Sequence, residues 1–129
     1  MKFFLITNNP LVRDELGKDR EIEFVDGSLL DVLRKARDFC HLGHILLSHP
    51  LSGSVKPNET LYKTVMLSKK TGPVDIDSIL LIENAIETVE KFGDIRRCWH
   101  EKELKDFQLI DLTLIESAVE SCNENYDQV

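Results

Sequence analysis

Three short apolar runs alternate with two helix-like stretches in the first part of the chain, and this alternation constrains the fold most. The runs are Phe3–Ile6, Glu21–Val25 and His44–Ser48. Each has the length and the β-branched, aromatic or aliphatic content of a strand, and the second alternates polar and apolar positions as an edge strand does. Strand, helix, strand, helix, strand with short connections predicts a parallel sheet with helices on both faces.

The two intervening helices are marked by their ends. Asn9 suits an N-cap and Pro10 a first helical position, and Gly17 can end this short helix. Ser28 caps the second helix and Gly43 ends it. The second helix repeats apolar residues at the three-and-four spacing of one face, namely Leu29, Val32, Leu33, Ala36, Phe39 and Cys40.

The middle of the chain adds a fourth strand and a third helix. Lys63–Ser68 alternates again and predicts a strand whose direction the sequence leaves open. Asp75 or Asp77 can cap the following helix, which Gly93 ends. Its outer face is acidic, which indicates either a solvated surface or a surface for a basic partner.

The end of the chain predicts a last short strand and a last helix. Phe107–Asp111 has a strand-like pattern, and Thr113–Glu116 matches a capping box for a helix that reaches residue 122. Residues 122–129 are expected to be a loose tail. The predicted fold is a single three-layer α/β/α domain over residues 1–129, with a mostly parallel four- or five-stranded sheet. It is Rossmann-like but has no dinucleotide fingerprint, because no Gly-x-Gly-x-x-Gly run is present.

Composition indicates which partners the protein can bind and in which cellular compartment it is found. The chain has 129 residues and a formal net charge of -7, which opposes sequence-independent binding to nucleic acid. No apolar run approaches the roughly 20 residues that are needed to cross a bilayer. The apolar run at the start of the chain, Phe3–Ile6, is too short for the core of a signal peptide. We therefore expect a cytoplasmic protein with no membrane segment. The three cysteines are widely spaced, which favours reduced structural thiols.

The long polar connection from Ser48 to Lys63 is the predicted functional site. Connections in compact domains are typically about 4–6 residues, so a loop of this length is often functional. In a parallel sheet it would lie at the carboxyl end of the strands, beside the turn after the first strand, where ligands bind. The candidate ligand-binding residues are Asn8, Asn9, Ser48, Ser52, Gly53, Ser54, Lys56 and Asn58.

His49 is the candidate catalytic residue, because it follows a predicted strand end and can act as an acid or base at neutral pH. Each candidate also has a structural interpretation: Asn9 as a helix cap alone, and the serines, glycine and prolines as ordinary loop residues. We predict no metal, since no pair of histidines has the spacing of a hydrolytic zinc site, and no cofactor. The segment Arg96–Lys102 is either an anion or partner site anchored by Trp99, or a connector.

Three stretches together resemble the GrdX family. They are the loop His49–Lys63, the opening Leu5–Pro10 and the later Asp106–Asp111, and the resemblance extends from Met1 to about Ala118. Members of that family are small proteins encoded beside the glycine reductase genes of amino-acid-fermenting anaerobic bacteria. The resemblance implies a cytoplasmic protein associated with glycine, sarcosine or betaine reductase, and it carries over no catalytic residue.

Function is left open between three interpretations. In the first, the protein is an accessory or regulatory component that binds a small anionic metabolite or a reductase subunit at the loop. In the second, it is a small enzyme acting on a phosphorylated or carboxylated metabolite, with His49 as acid or base and Lys56 holding the anion. In the third, the loop forms a homo-oligomer interface.

Overall fold

The computed structural model describes residues 2–51, 61–92 and 100–126. Within these residues the chain forms a small sheet and four helices. In chain order the elements are β1 (Phe3–Thr7), α1 (Pro10–Leu16), β2 (Ile22–Phe24), α2 (Leu29–His41), β3 (Thr64–Ser68), α3 (Ile76–Phe92) and α4 (Glu101–Tyr126).

The sheet is mixed and has three strands, so the predicted mostly parallel, four- or five-stranded Rossmann-like sheet is wrong. The strand order is β2-β1-β3, with β1 parallel to β2 and antiparallel to β3. β1 is the central strand, and all five of its residues are buried. β2 lies at one edge, as its charged face predicts.

The first reason for this difference is the stretch His44–Ser48, which is not a strand. It pairs with β3 through one isolated antiparallel bridge, Leu46 to Leu67, and two backbone hydrogen bonds of 2.8 Å, from the Leu47 amide to the Met66 carbonyl and from the Ser68 amide to the Ile45 carbonyl. Side chains take up two other amides of the stretch: the Ile45 amide donates to the Ser68 hydroxyl at 2.8 Å and the Leu46 amide to the Ser78 hydroxyl at 3.0 Å. A regular ladder cannot continue where side chains bind the backbone in this way.

The second reason is the stretch Phe107–Asp111, which lies inside α4 rather than in a strand. Thr113 is therefore not a helix cap, and its hydroxyl donates to the Leu109 carbonyl at 2.9 Å within the helix. The stretch is helical rather than extended because the buried positions of α4 recur at helical spacing; they are Asp111, Leu112, Ile115, Val119 and Cys122. The helix continues to Tyr126, beyond its predicted end.

The helices cover both faces of the sheet. α2 and α3 pack on the face that carries Phe4, Ile6, Val65 and Leu67, while α1 and α4 pack on the face that carries Phe3, Leu5 and Met66. The acidic outer face of α3 meets basic residues of the same chain, since Glu90 pairs with Arg34 at 3.3 Å and Glu83 with Arg37 at 3.7 Å.

The predicted starts of α1, α2 and α3 are confirmed. The Asn9 side chain accepts from the Leu11 amide and Pro10 opens α1, while Ser28 and Asp31 form a capping box at α2. Of the two candidate caps for α3, Asp75 is used, and its carboxylate accepts from the Ser78 amide at 3.1 Å. Arg96, Arg97 and Trp99 of the predicted basic patch lie outside the described residues.

Candidate functional site

Buried polar residues converge at the carboxyl end of β1. We call this group the carboxyl-end cluster, and it consists of Thr7, Asn8, Asn9, Lys63, Thr64 and Asp111. The turn after β1 supplies the two asparagines, the start of β3 supplies Lys63 and Thr64, and α4 supplies Asp111. All six are at most 7% exposed. Buried polar groups are costly unless they are paired, so the geometry of this cluster is closely determined by its hydrogen bonds.

Asp111 is the centre of the cluster. One carboxylate oxygen accepts from the Thr64 amide at 3.1 Å, and the other accepts from the Thr64 hydroxyl at 2.7 Å and from Asn9 Nδ2 at 3.0 Å. Hydrogen bonds to a charged acceptor are stronger than neutral ones. The carboxylate therefore fastens α4 to the ends of both neighbouring strands.

The two threonines connect this carboxylate to the turn after β1. Their hydroxyl oxygens are 2.7 Å apart. Because the Thr64 hydroxyl gives its proton to Asp111, the Thr7 hydroxyl must donate to Thr64, and it in turn accepts from the Asn9 amide at 3.0 Å. The result is a single directed chain of hydrogen bonds from the Asn9 amide to Asp111.

Lys63 brings the positive charge of the cluster. Its side chain is 4% exposed, and burial lowers the pKa of its ammonium group below the ordinary value, while the nearby charge of Asp111 opposes that effect. A buried lysine with a lowered pKa next to a carboxylate is an arrangement seen at functional sites as well as in structural ion pairs.

The side chain of Asn8 holds the end of the long loop. Its Nδ2 donates to the Leu61 carbonyl at 2.8 Å and to the Gly27 carbonyl at 3.1 Å, and its Oδ1 accepts from the Lys63 amide at 2.9 Å. Nearby, Tyr62 is held by Gln108 of α4, whose Nε2 lies 3.1 Å from the tyrosine hydroxyl. The loop therefore leaves the fold from a fixed position.

The other end of the loop is also fixed, and it leaves His49 exposed. The Ser48 hydroxyl accepts from the Met66 amide at 2.9 Å, and Pro50 is buried. His49 Nδ1 accepts from the Leu51 amide at 3.1 Å, so the neutral ring carries its proton on Nε2. The exposed imidazole thus presents an N–H donor.

The structure brings only some of the predicted site residues together. Asn8 and Asn9 lie within the carboxyl-end cluster, whereas Ser48 and His49 follow a stretch on the far side of β3, roughly 10 Å from β1 by strand spacing. Ser52, Gly53, Ser54, Lys56 and Asn58 lie outside the described residues. Among residues 2–51, 61–92 and 100–126, there is no group of three or more His, Cys, Asp or Glu side chains placed to hold a metal ion.

A family model described as GrdX-like protein matches residues 4–120. The chain belongs to the GrdX-like family. The resemblance seen in the sequence is therefore confirmed. A comparison with curated proteins finds no match, and neither does a comparison with solved structures. Within its described residues, this GrdX-like protein has no helix that is both long and apolar enough to cross a membrane.

Sequence reasoning missed four members of the cluster in this GrdX-like protein, namely Thr7, Lys63, Thr64 and Asp111. Their bonding partners are distant in sequence: Asp111 lies 102 positions from Asn9 and 47 from Thr64. One signal was present in the sequence. Asp111 lies on the buried stripe of α4, and a carboxylate at such a position requires polar partners.

Proposed function

We propose that this GrdX-like protein is a cytoplasmic accessory or regulatory component of a glycine, sarcosine or betaine reductase system. We further propose that it binds a small anionic ligand at the loop that joins Leu51 to Leu61. The family match supports the association with the reductase. The two described cysteines, Cys40 and Cys122, are buried, and Cys40 is a free thiol, which is compatible with a reducing compartment.

One observation carries the binding proposal: both ends of the loop are fixed by hydrogen bonds to the fold. Asn8 binds Leu61 and Lys63, and Ser48 binds Met66. A fixed pair of loop ends lowers the entropy that a binding loop loses when its ligand arrives. In this proposal Asn8 and Asn9 act by positioning the loop rather than by touching the ligand, because their side-chain amides already bind the protein.

The sequence between the loop ends has the chemistry that anions require. Ser52, Gly53, Ser54 and Asn58 supply hydroxyl, backbone and amide donors, and Lys56 supplies a cation. The buried charges beside the loop are balanced, because Lys63 and Asp111 offset each other. Attraction of an anion therefore depends on Lys56.

A thermal-shift screen tests this proposal. The probes are glycine, sarcosine, betaine, acetyl phosphate, inorganic phosphate and common nucleotides, and a ligand at a hundred times its Kd adds about 2.7 kcal/mol. Lys56→Ala is expected to abolish the shift. Lys105→Ala is the matched control, because Lys105 is exposed on α4 and pairs only with Glu101 among the described residues.

A shift that survives Lys56→Ala would place the ligand elsewhere. If none of the compounds produces a shift, the anionic ligand is refuted. The reductase association is then tested separately by mixing the protein with purified reductase subunits and measuring co-migration in size-exclusion chromatography. Absence of a complex in that experiment would refute the association.

The second candidate function is a small enzyme with His49 as its acid or base. The observation that favours it is the position of His49, an exposed side chain at the fixed end of the loop whose ring is oriented by the bond from the Leu51 amide to Nδ1. An enzyme is expected to lose turnover in His49→Ala while its ligand affinity stays within about tenfold. A binding protein has no turnover to lose, so assays of each bound metabolite for a product distinguish the two.

A further inference from the structure

A second concave site lies at the opposite end of the sheet from the carboxyl-end cluster. It has a volume of about 350 Å³, which is within the range of small-molecule sites. The cavity lies beside Phe4, near the start of β1, where Phe4 pairs with Leu67. The cluster lies at the end of β1, where Thr7 pairs with Thr64. The cavity is lined by Phe4, Glu21, Glu23, Phe39, His44 and Lys69.

Edge strand β2 explains why this space is not filled. Glu23 pairs with Ile6, which belongs to the core beneath α2 and α3. Side chains of paired residues in adjacent strands lie on the same face, so β2 presents a glutamate where an apolar residue would complete that core. Glu21, two positions earlier, lies on the same face.

The inner wall of the cavity is aromatic. The rings of Phe4, Phe39 and His44 contact one another edge to face, with centroids 5.1 to 5.3 Å apart. Such a three-ring contact holds the wall rigid without help from a ligand. It offers a preformed apolar surface for a short hydrocarbon or aromatic side chain.

Two hydrogen-bond acceptors on the cavity lining have no donor within the described part of the chain. His44 Nδ1 lies 2.7 Å from the Ser68 carbonyl, which can only accept, so in the neutral ring the lone pair is on Nε2. The Glu23 carboxylate has only Lys35 Nζ near it, at 3.9 Å, which is beyond hydrogen-bond distance. Both acceptors suit an ammonium group.

The charges around the cavity are balanced in pairs. Lys69 Nζ lies 2.8 Å from Glu21, and Lys35 is the charge partner of Glu23. A ligand with a net charge would disturb this balance, whereas a ligand that carries one charge of each sign preserves it. The ammonium group of Lys69 has three donors, so it can bind a second carboxylate while it keeps Glu21.

We propose that this cavity binds a zwitterionic amino acid with an apolar side chain. Its ammonium group binds Glu23 and His44 Nε2, its carboxylate binds Lys69, and its side chain packs on Phe4 and Phe39. The proposal uses none of the residues of the carboxyl-end cluster and stands apart from the function proposed above.

Three compounds with the same hydrocarbon body test the charge requirement on the full chain. They are L-phenylalanine, a zwitterion; phenethylamine, a cation; and phenylpropionate, an anion. Calorimetric titration is expected to give the amino acid a Kd at least about tenfold lower than either singly charged compound. Amide resonances of residues 21–23 and 39–44 are expected to shift in its NMR spectrum.

Two substitutions test the assigned contacts. Glu23→Gln and Lys69→Gln are each expected to weaken L-phenylalanine binding about tenfold. Glu101→Gln is the matched control, because Glu101 is also an exposed glutamate paired with a lysine, Lys105, at 3.4 Å. The affinity of this variant for L-phenylalanine is expected to stay within about twofold of that of the unaltered protein. Equal binding of the three compounds, no binding at about 10 mM, or full affinity in Glu23→Gln would overturn the proposal.

Discussion

Replacement of Asp111 by Asn is the most direct test of the carboxyl-end cluster. The carboxylate is 4% exposed and accepts three hydrogen bonds. An amide can still accept from the Thr64 backbone, but its Nδ2 would face Asn9 Nδ2, donor against donor. The change also removes the charge that offsets Lys63. Loss of one partner of a buried charge pair typically costs 3–5 kcal/mol, so we expect the free energy of unfolding to fall by about 3 kcal/mol.

Urea denaturation measures this loss as a lower midpoint at unchanged slope, and the Tm is expected to fall by roughly 10 °C. Asp106→Asn is the control on the same helix, because Asp106 is exposed, and its effect is expected within about 0.5 kcal/mol. The double variant with Lys63→Met should lose at least about 1 kcal/mol less than the sum of the single losses. A loss below about 1 kcal/mol for Asp111→Asn, or strict additivity with Lys63→Met, would refute the account of the cluster.

Three further predictions concern the end of the long loop, the turn after α2 and a buried thiol of α2. Asn8→Ala removes the bonds to Leu61 and Lys63, so the Lys63 amide is expected to lose hydrogen-exchange protection at a cost of about 2 kcal/mol. Gly43 has a φ of 102°, and a Cβ added there would collide with the Gly72 carbonyl oxygen. Gly43→Ala is therefore expected to lower the free energy of unfolding, measured in urea, by more than about 2 kcal/mol. Gly72→Ala is the control, because open space surrounds Gly72, and it is expected to change that free energy by less than about 0.5 kcal/mol. Burial, with Asp75 nearby, raises the pKa of Cys40 from 9.0 to about 11. Between pH 9.0 and about 11 the folded thiol keeps its proton, whereas the unfolded thiol loses it. The free energy of unfolding is therefore expected to decrease as the pH rises through this range. Cys40→Ala, measured at the same pH values, is expected to lack this part of the decrease.

Local signals predicted the elements whose boundaries depend on neighbouring residues. The start of α1 at Asn9 and Pro10 and of α2 at Ser28 follow from capping groups within three residues of the helix. The strand character of Phe3–Thr7 follows from its continuous apolar run, which is typical of a strand covered on both sides.

The sheet was mispredicted where distant side chains decide the structure. His44–Ser48 has a strand-like composition, but Ser68 and Ser78, both more than twenty residues later, accept from two of its amides. Phe107–Asp111 has an apolar pattern that fits a short strand or a helix, and only packing against α1 and β3 selects the helix. The cluster at the end of β1 includes the predicted residues Asn8 and Asn9, yet its central carboxylate comes from the last helix, 102 positions after Asn9.

The dependence of the cluster on Asp111 also has a consequence for synthesis of the protein on the ribosome. Asn9 and Asp111 are 102 positions apart, and α4 covers the face of the sheet that carries Phe3, Leu5 and Met66. Until α4 has left the exit tunnel, the nascent chain exposes that apolar face and leaves Thr64 without its acceptor. Final folding is therefore expected to wait until α4 has emerged, and a nascent chain that still lacks α4 is a natural client for chaperones that recognise exposed apolar strands.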